Sequence, residues 1–399
     1  MISILVNALS ASAGGGLTYV RNIVPRFAAR DDVRATLLLK PGFRDELGVW
    51  PNIKIVDPPE PVGAARRFLF EQHYLPALIR ASGANVLVSA GNFALRNAPV
   101  PQILLSRNAL YTSRDFYADL RQRGEYRLWL DTRTKGWFAK RSVQIADVTV
   151  APSQAFADDL QRWTGTHVAT IHHGFDHELF SRDATALPST ISDQLASTVG
   201  CLRLLFVSHY NYYRNFETLI RATARATQKL GHDKIKLILT CTLKSEDNRG
   251  AYRAESAARL VRELGVQQNV VELGSVPYRQ LHHVYRACDI YVTAAYCESF
   301  AHPLLEAMST GLPIVASDIS VHQEICGRAA VYCARFSDEA FSEQIVSLSA
   351  AQRRRDELSA AGQARAADFS WRRHVEQIVA LASNLVCESR RYRGCGRDR

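Results

Sequence analysis

Short runs of apolar, often β-branched residues alternate along the chain with longer segments of helical spacing. In the first half these runs cover residues 2–6, 36–39, 53–56, 85–88, 102–105, 148–151 and 168–171. In the second half they cover residues 202–207, 235–239, 270–273, 290–293, 313–316 and 329–332. Strands that alternate with helices form parallel sheets with helices on both faces. The sequence therefore predicts an α/β fold of doubly wound, Rossmann-like sheets.

The chain has 399 residues, a length that suits two such domains. A polar stretch over 181–197 follows the turn-like sequence at 173–176 and marks the expected break. The predicted parts are an N-terminal domain at 1–178, a C-terminal domain at 179–370, a helix at 371–385 that packs back on the first domain, and a basic, disordered tail at 386–399. Because ligands of this fold class bind at the carboxyl ends of the strands, we expect the site in a cleft between the domains.

Composition narrows the class of protein. Hydrophobic residues make up 47% of the chain and charged residues 22%, which is typical of a folded globular protein. No uncharged apolar run is long enough for a membrane-spanning helix, and the first twenty residues lack the basic start of a signal peptide. The 8 cysteines show neither metal-site spacing nor a small secreted framework. We expect a cytoplasmic protein with buried, reduced thiols.

The formal net charge of +10 is concentrated in two segments. Residues 107–141 carry a net +5, interleaved with aromatic residues that include Phe116, Trp129 and Trp137, and the tail from Arg390 carries a net +4. Such a segment suits anionic lipid headgroups, although nucleic-acid binding or a solvated helix with its aromatics in the core gives the same pattern. We adopt peripheral membrane contact through 107–141 as a hypothesis and expect no nucleic-acid partner.

The stretch at 291–318 combines a buried strand, a loop and a helix that we expect to begin at Pro303. The loop at 298–302 then lies on a helix N-terminus, where N–H groups and the helix dipole favour a diphosphate. Glu298 lies in this loop, and Glu306 is expected in the first turn of the helix. Carboxylates beside a phosphate are repelled unless they face neutral hydroxyls, so sugar and ribose hydroxyls are their expected partners. This arrangement predicts a nucleotide-sugar site.

With its Glu298-x7-Glu306 spacing and the upstream residues 273–277, Leu281, Tyr285 and 287–289, the second half resembles the GT4-type retaining glycosyltransferases of the GT-B fold. The resemblance implies that Glu298 contacts the donor sugar, that Glu306 holds the ribose and that the backbone near Val276 meets the base. It also implies contacts to sugar and phosphates from the loop and the helix start, at Ser299, Phe300, Ala301, His302, Leu304 and Leu305.

A diphosphate leaving group requires cationic stabilisation, because negative charge accumulates on it as the glycosidic bond breaks. Arg214 matches the family's phosphate-binding element, whereas Ser208 and His209 stand where the family has Gly-Arg. His209 is a cation at neutral pH only if phosphates raise its pKa. Arg214 and Glu298 are therefore the predicted catalytic residues. The chain has no Asp-x-Asp pair, so we expect transfer without a metal or other cofactor.

A glycine run, Gly14, Gly15 and Gly16, follows the first strand and precedes a helix expected to start near Leu17. Tyr19 occupies the place of the third glycine of the dinucleotide fingerprint, which argues against a nicotinamide oxidoreductase. The resemblance implies that Gly15 and Gly16 face the donor phosphates and that Gly14 lies on the acceptor side. Arg107 and Asn108, placed where the family often has a histidine, are further acceptor-side candidates.

The predicted function is a retaining glycosyltransferase that moves a hexose-type sugar from a nucleotide diphosphate sugar to a glycan or lipid-linked acceptor, in cell-surface polysaccharide or glycolipid synthesis. One alternative is a GT-B-fold nucleotide-sugar epimerase, which the Glu298 loop with its neighbouring Arg214 disfavours. The other is a nucleotide-sugar-binding subunit without transferase activity. The altered Ser208-His209 pair and the missing histidine leave that alternative open.

Overall fold

The computed structural model describes residues 1–11, 15–58, 63–247 and 252–395. The chain forms two compact units: Met1–Thr112, Leu130–Gly174 and Ser370–Arg399 make up the first, and Ser113–Trp129 and Phe175–Phe369 the second. The break thus falls after Gly174, not in the polar stretch at 181–197, part of which is helical. Residues 113–129, predicted to be part of the N-terminal domain, belong to the second unit.

Every predicted apolar run forms a strand in the structure, with ends that differ by up to three residues. The strands of the first unit are β1 (Ile2–Asn7), β2 (Val33–Leu38), β3 (Ile53–Val56), β4 (Val86–Ser89), β5 (Gln102–Leu105), β6 (Val148–Ala151) and β7 (Val168–Thr170). Those of the second unit are β8 (Leu202–Phe206), β9 (Ile235–Leu239), β10 (Val270–Glu272), β11 (Ile290–Thr293), β12 (Ile314–Ser317) and β13 (Ala330–Cys333).

The helices occupy the segments between the strands. In chain order they are α1 (Gly15–Ala28), α2 (Arg44–Leu47), α3 (Ala64–Ser82), α4 (Arg114–Gln122), α5 (Tyr126–Ile145), α6 (Gln154–Thr164), α7 (His177–Ser181), α8 (Ser189–Ala196), α9 (Phe216–Leu230), α10 (Glu255–Glu263), α11 (Leu281–Arg286), α12 (His302–Ser309), α13 (Ser320–Cys326), α14 (Asp338–Ala350), α15 (Gln352–Ala366) and α16 (Trp371–Cys395). The helix that was expected to start near Leu17 therefore starts at Gly15, within the glycine run.

The first unit is built on a parallel sheet of seven strands in the order β3-β2-β1-β4-β5-β6-β7. The apolar sides of α1 and α16 bury one face of the sheet. Apolar residues of α3 form a second cluster with residues of β1, β2 and β4. A Cβ on Gly174 would lie 1.9 Å from the backbone nitrogen of Trp371, so only glycine fits beside the start of α16. The C-terminal helix is thus part of the first unit's core.

The second unit holds a six-stranded sheet in the order β10-β9-β8-β11-β12-β13, in which all pairs are parallel. Its strand order reverses between β8 and β11, which lie side by side with Leu204 opposite Ile290. In doubly wound sheets, ligands bind at the carboxyl ends of the strands at such a reversal. The predicted fold class is confirmed. The topology predicts that a ligand binds at the loops that follow β8 and β11.

Two local predictions are wrong. The C-terminal helix does not end at residue 385 but continues to Cys395, so the tail predicted to be disordered from 386 is helical over most of its length; residues 396–399 lie outside the described residues. Val386 packs against the first unit's core, which extends the apolar face of the helix beyond the predicted end. Not every thiol is buried either, because Cys387 is exposed and Cys201 is half-buried. None of the cysteines whose side chains the structure describes forms a disulfide bond.

The basic segment at 107–141 is divided between the units and differs from the expectation in part. Phe116 is fully buried, so it cannot lie on a membrane, and Trp129 is half-buried with its ring edge against Tyr117. Trp137 and Leu130 on α5 are 54% and 62% exposed. No helix in the described part of the chain has both the length and the apolar character needed to cross a membrane.

Candidate active site

The loops after β8 and β11 bring together the two residues predicted to be catalytic. Arg214 ends a 3₁₀ turn, Tyr212–Arg214, and Glu298 lies between β11 and α12. The Arg214 guanidinium and the Glu298 carboxylate form an ion pair, with 19% and 9% of the respective side chains exposed. Nε of Arg214 is buried and has no hydrogen-bond partner among the described residues. A cation with an unused donor thus lies at the carboxyl ends of the two central strands.

Asn215 fixes the backbone next to Arg214. Its φ of 57° is left-handed, a conformation that asparagine tolerates better than most residues. Its side-chain amide donates to the carbonyl oxygens of Ala294 (3.1 Å) and Arg335 (2.7 Å), and its oxygen accepts from the Thr218 hydroxyl at 2.9 Å. Because Ala294 directly follows β11, this buried amide ties the Arg214 turn to the start of the Glu298 loop.

The loop after β11 ends in a second left-handed residue, Ala301, with φ 63° and ψ 63°. Helix α12 begins at His302, one residue before the predicted start, and Pro303 occupies its first turn. The Leu304 N–H donates to the Ala301 carbonyl at 3.0 Å, which closes that turn. Phe300 is buried and Ser299 half-buried. The predicted loop on a helix N-terminus is therefore present, and Ala301 is the residue that precedes the helix.

Glu306 is buried in the second turn of α12, not in the first turn as expected. One carboxylate oxygen accepts a hydrogen bond from the Tyr285 hydroxyl at 2.7 Å. Burial raises the pKa of Glu306 to about 7, although the Tyr285 hydrogen bond acts in the opposite direction. Near neutral pH this carboxyl group therefore exists in both protonation states. The ionised form accepts a hydrogen bond from a hydroxyl, and the protonated form can donate one to it.

A buried hydrogen-bond chain supports the same loop from β12. The Ser317 hydroxyl donates to the Ala295 carbonyl, so its oxygen is left to accept from His322 Nδ1 at 2.9 Å. Nδ1 therefore carries the proton, and Nε2 is buried without a hydrogen-bond partner in the described part of the chain. Burial, assisted by the charge of Arg214, lowers the pKa of His322 to about 3. The neutral imidazole of His322 thus supports the loop through Ser317.

The remaining predicted donor residues lie around these loops. Ser208 follows β8, with its N–H bonded to the Thr240 hydroxyl at 3.1 Å and its own hydroxyl bonded to the His209 carbonyl at 2.6 Å. The His209 side chain is exposed, and Val276 is half-buried in the loop after β10. The side chains of Leu304 and Leu305 are buried in the core, so only their backbone remains for ligand contact.

The predicted residues of the first half lie in the first unit. Gly15 and Gly16 open α1, where a Cβ on Gly16 would lie 3.1 Å from the Ala11 Cα, and Gly14 lies outside the described residues. Arg107 follows β5 with its guanidinium 4.9 Å from the ring centroid of Tyr19. The Asn108 side chain accepts from the Leu110 N–H at 3.1 Å and caps a 3₁₀ turn. The acceptor-side roles of Gly14, Arg107 and Asn108 stay predictions.

Sequence reasoning missed several residues that hold the site in shape. Tyr285 was noted only as part of the resemblance, and Asn215, Tyr296 and His322 were not assigned a role. Asn215 carried a usable signal, because asparagine adopts left-handed backbone more readily than most residues and often ends a helix or turn in it, as it ends the Tyr212–Arg214 turn. Tyr285 and Tyr296 gave none, since their partners are distant in sequence, and His322 reaches the loop only through the Ser317 contact with Ala295, 22 residues away. Asp119, which accepts from the Tyr296 hydroxyl at 2.6 Å, lies 177 residues away from it.

Two family models match the chain, and their boundaries follow the two halves. "Glycosyltransferase Family 4" matches residues 13–179, and "Glycosyl transferases group 1" matches residues 190–365. The second match contains both loops of the site described above. The chain belongs to the GT4-type glycosyltransferases. The resemblance to the GT4-type glycosyltransferases is thereby confirmed.

Curated relatives of this glycosyltransferase include a D-inositol 3-phosphate glycosyltransferase of Corynebacterium urealyticum, 24% identical over 61% of this chain and 58% of that protein. An O-antigen chain mannosyltransferase B of Escherichia coli is 33% identical over 27% of this chain and 28% of that protein. The matched regions thus span only 58% and 28% of the lengths of these two relatives. A solved sucrose-phosphate synthase of Thermosynechococcus elongatus superposes with a TM-score of 0.75 at 18% identity, covering 97% of this chain and 100% of that one. That likeness supports the GT-B fold.

Proposed function

We propose that this protein transfers a sugar from a nucleotide diphosphate donor, bound in the second unit, to a glycan or lipid-linked acceptor. The proposal rests on the ion pair between Arg214 and Glu298, which lies where the strand order of the second sheet reverses. The diphosphate contacts Arg214, whose buried Nε has no partner among the described residues. Glu298 accepts from hydroxyls of the donor sugar, and Glu306 holds the ribose.

The chemistry assigned to these groups follows the developing charge. As the glycosidic bond breaks, negative charge grows on the leaving diphosphate, and Arg214 together with the N-terminus of α12 stabilises it. In a retaining reaction the acceptor hydroxyl attacks from the face that the diphosphate leaves, and a phosphate oxygen takes its proton. No side chain is then needed as a strong base. The proposed reaction uses no metal and no other cofactor.

The acceptor class is proposed from the relatives. One of them is named for O-antigen chain mannosyl transfer, which supports a hexose-type donor sugar and a role in cell-surface polysaccharide or glycolipid synthesis. We place the reaction in the cytoplasm, with the acceptor recognised mainly by the first unit.

A turnover assay across a panel of UDP- and GDP-sugars tests this function against its two alternatives. Sugar transfer and nucleoside diphosphate release are measured in the same samples, with a lipid-linked glycan and a soluble glycan as acceptors. We expect one donor to give equal amounts of both products. Epimerised donor without diphosphate release would identify an epimerase, and donor binding without turnover would identify a binding subunit.

Peripheral membrane contact is proposed for the exposed side of α5 within 107–141. Leu130, Arg133, Trp137 and Arg141 are all exposed, and their spacing places them along one side of the helix. Apolar and aromatic groups flanked by arginines suit an anionic lipid surface. We expect co-sedimentation with anionic but not neutral liposomes, weakened by salt and by Trp137→Ala but not by the matched Trp50→Ala. Salt-independent behaviour, or no binding to any liposome, would contradict this contact.

A further inference from the structure

The segment Ser113–Trp129 packs into the second unit through a mostly buried ionic cluster. Arg123 contacts two carboxylates, with Nε 2.7 Å from Asp119 and Nη1 2.9 Å from Glu217. Burial raises the pKa of Glu217, but the Arg123 guanidinium more than offsets this and holds the pKa below its ordinary value. The cluster therefore stays charged at neutral pH and fixes α4 on the second unit. We call Ser113–Trp129 the α4 segment.

The α4 segment contacts the turn that carries Arg214. The Tyr212 hydroxyl donates to a carboxylate oxygen of Glu125 at 2.9 Å, and the Arg123 guanidinium lies over the Tyr212 ring, 4.3 Å from its centroid. Phe116 meets the ring of Tyr213 edge-on at 6.1 Å between centroids. Both residues that precede Arg214 are therefore held by this segment.

The same segment contacts the loop that carries Glu298. The Tyr296 hydroxyl donates to the second carboxylate oxygen of Asp119 at 2.6 Å, so Asp119 binds Arg123 and Tyr296 together. Burial raises the pKa of Tyr296, and the Asp119 charge raises it further, so the phenol keeps its proton. The Tyr296 N–H in turn donates to the Tyr213 carbonyl at 3.0 Å, which joins the two loops.

We propose that Asp119 and Glu125 are positioning residues of the donor site. They act through Tyr296 and Tyr212, each of which lies two residues before the group it positions, Glu298 and Arg214 respectively. Neither acid is assigned a contact with substrate. The inference rests on the proposed function for its consequence in catalysis, because loops held in place before binding lose less conformational freedom when the donor binds.

The experiment removes one hydrogen bond at a time from the full chain. Tyr296→Phe and Tyr212→Phe delete the hydroxyls, and Tyr126→Phe, an exposed tyrosine of the same segment, is the matched control. Asp119→Ala and Asp119→Asn form a rescue pair, because asparagine can still accept from Tyr296. Each variant is examined by hydrogen–deuterium exchange of residues 294–301, by titration with UDP and GDP, and by donor kinetics that separate KM from kcat.

We expect Tyr296→Phe and Asp119→Ala to accelerate exchange at 294–301 and to weaken nucleotide binding about 10-fold, the effect of one lost hydrogen bond of about 1.4 kcal/mol. Asp119→Asn should recover part of both, and Tyr126→Phe should match the wild type. Wild-type exchange and affinity in Tyr296→Phe would overturn the inference. Faster exchange in a protein whose wild type binds no nucleotide would refute the proposed function and leave the positioning of the two loops supported.

Discussion

The carboxylate of Glu298 forms an ion pair with the guanidinium of Arg214, and both groups belong to loops at the reversal of the second sheet. The pair keeps each charge compensated in a mostly buried setting. In the proposed function, a diphosphate competes with Glu298 for Arg214, and the donor sugar offers hydroxyls to the released carboxylate. One contact therefore joins the group assigned to the leaving diphosphate with the group assigned to the reacting sugar.

Replacing Glu298 with glutamine should separate nucleotide binding from turnover. The neutral amide no longer competes for Arg214 or repels the diphosphate, so the affinity for a nucleoside diphosphate should rise about 5-fold, equivalent to about 1 kcal/mol. The rate of sugar transfer should fall about 100-fold, because a charged acceptor at the sugar is lost. Titration and donor-saturation kinetics, with the exposed Glu357→Gln as control, measure both. A parallel loss of affinity and rate would contradict the assignment.

Glu306→Gln should change how stability depends on pH. Because burial raises the pKa of Glu306 to about 7, the folded state binds this proton more strongly than the unfolded state, and stability falls as the pH rises from about 4.5 through 7. The glutamine variant lacks this loss and should be more stable than the wild type at pH 8 by about 3 kcal/mol, a gap that closes towards pH 5. Denaturant unfolding at both pH values measures it. A gap that does not change with pH would refute the raised pKa.

The sequence predicted those features that arise from local patterns. The strands followed from short apolar runs, and the family resemblance placed Arg214 beside the Glu298 loop. The contact between Asp119 and Tyr296 was not predicted, since 177 residues separate them and no periodicity connects them. The charges of 113–129 were interpreted as a surface, whereas Arg123 and Asp119 belong to a mostly buried cluster. Tertiary partners, which local sequence does not encode, decided the role of this segment.

Ala301→Gly should stabilise the fold. Ala301 holds a left-handed backbone that is unfavourable for a residue with a Cβ. Relief of that strain is partly offset by the greater freedom of glycine in the unfolded chain, so we expect a net gain of about 0.5–1 kcal/mol. Ala307→Gly, in the interior of the helix α12 that follows this loop, should instead cost about 1 kcal/mol or more. Thermal unfolding of both variants decides the matter, and destabilisation by Ala301→Gly would show that the loop does not carry this strain.

Arg214→Ala tests the central claim most directly, through calorimetric titration with UDP and GDP. The exposed Arg353→Ala on α15 serves as the matched control. We predict that the wild type and the control bind one of the two nucleotides, and that Arg214→Ala binds it about 10- to 100-fold more weakly, as expected for a lost charge-assisted hydrogen bond of about 1.5–3 kcal/mol. Circular dichroism establishes that the variant is folded. Undiminished binding by a folded Arg214→Ala variant, or no binding of either nucleotide by the wild type, would contradict the assignment of the diphosphate to this site.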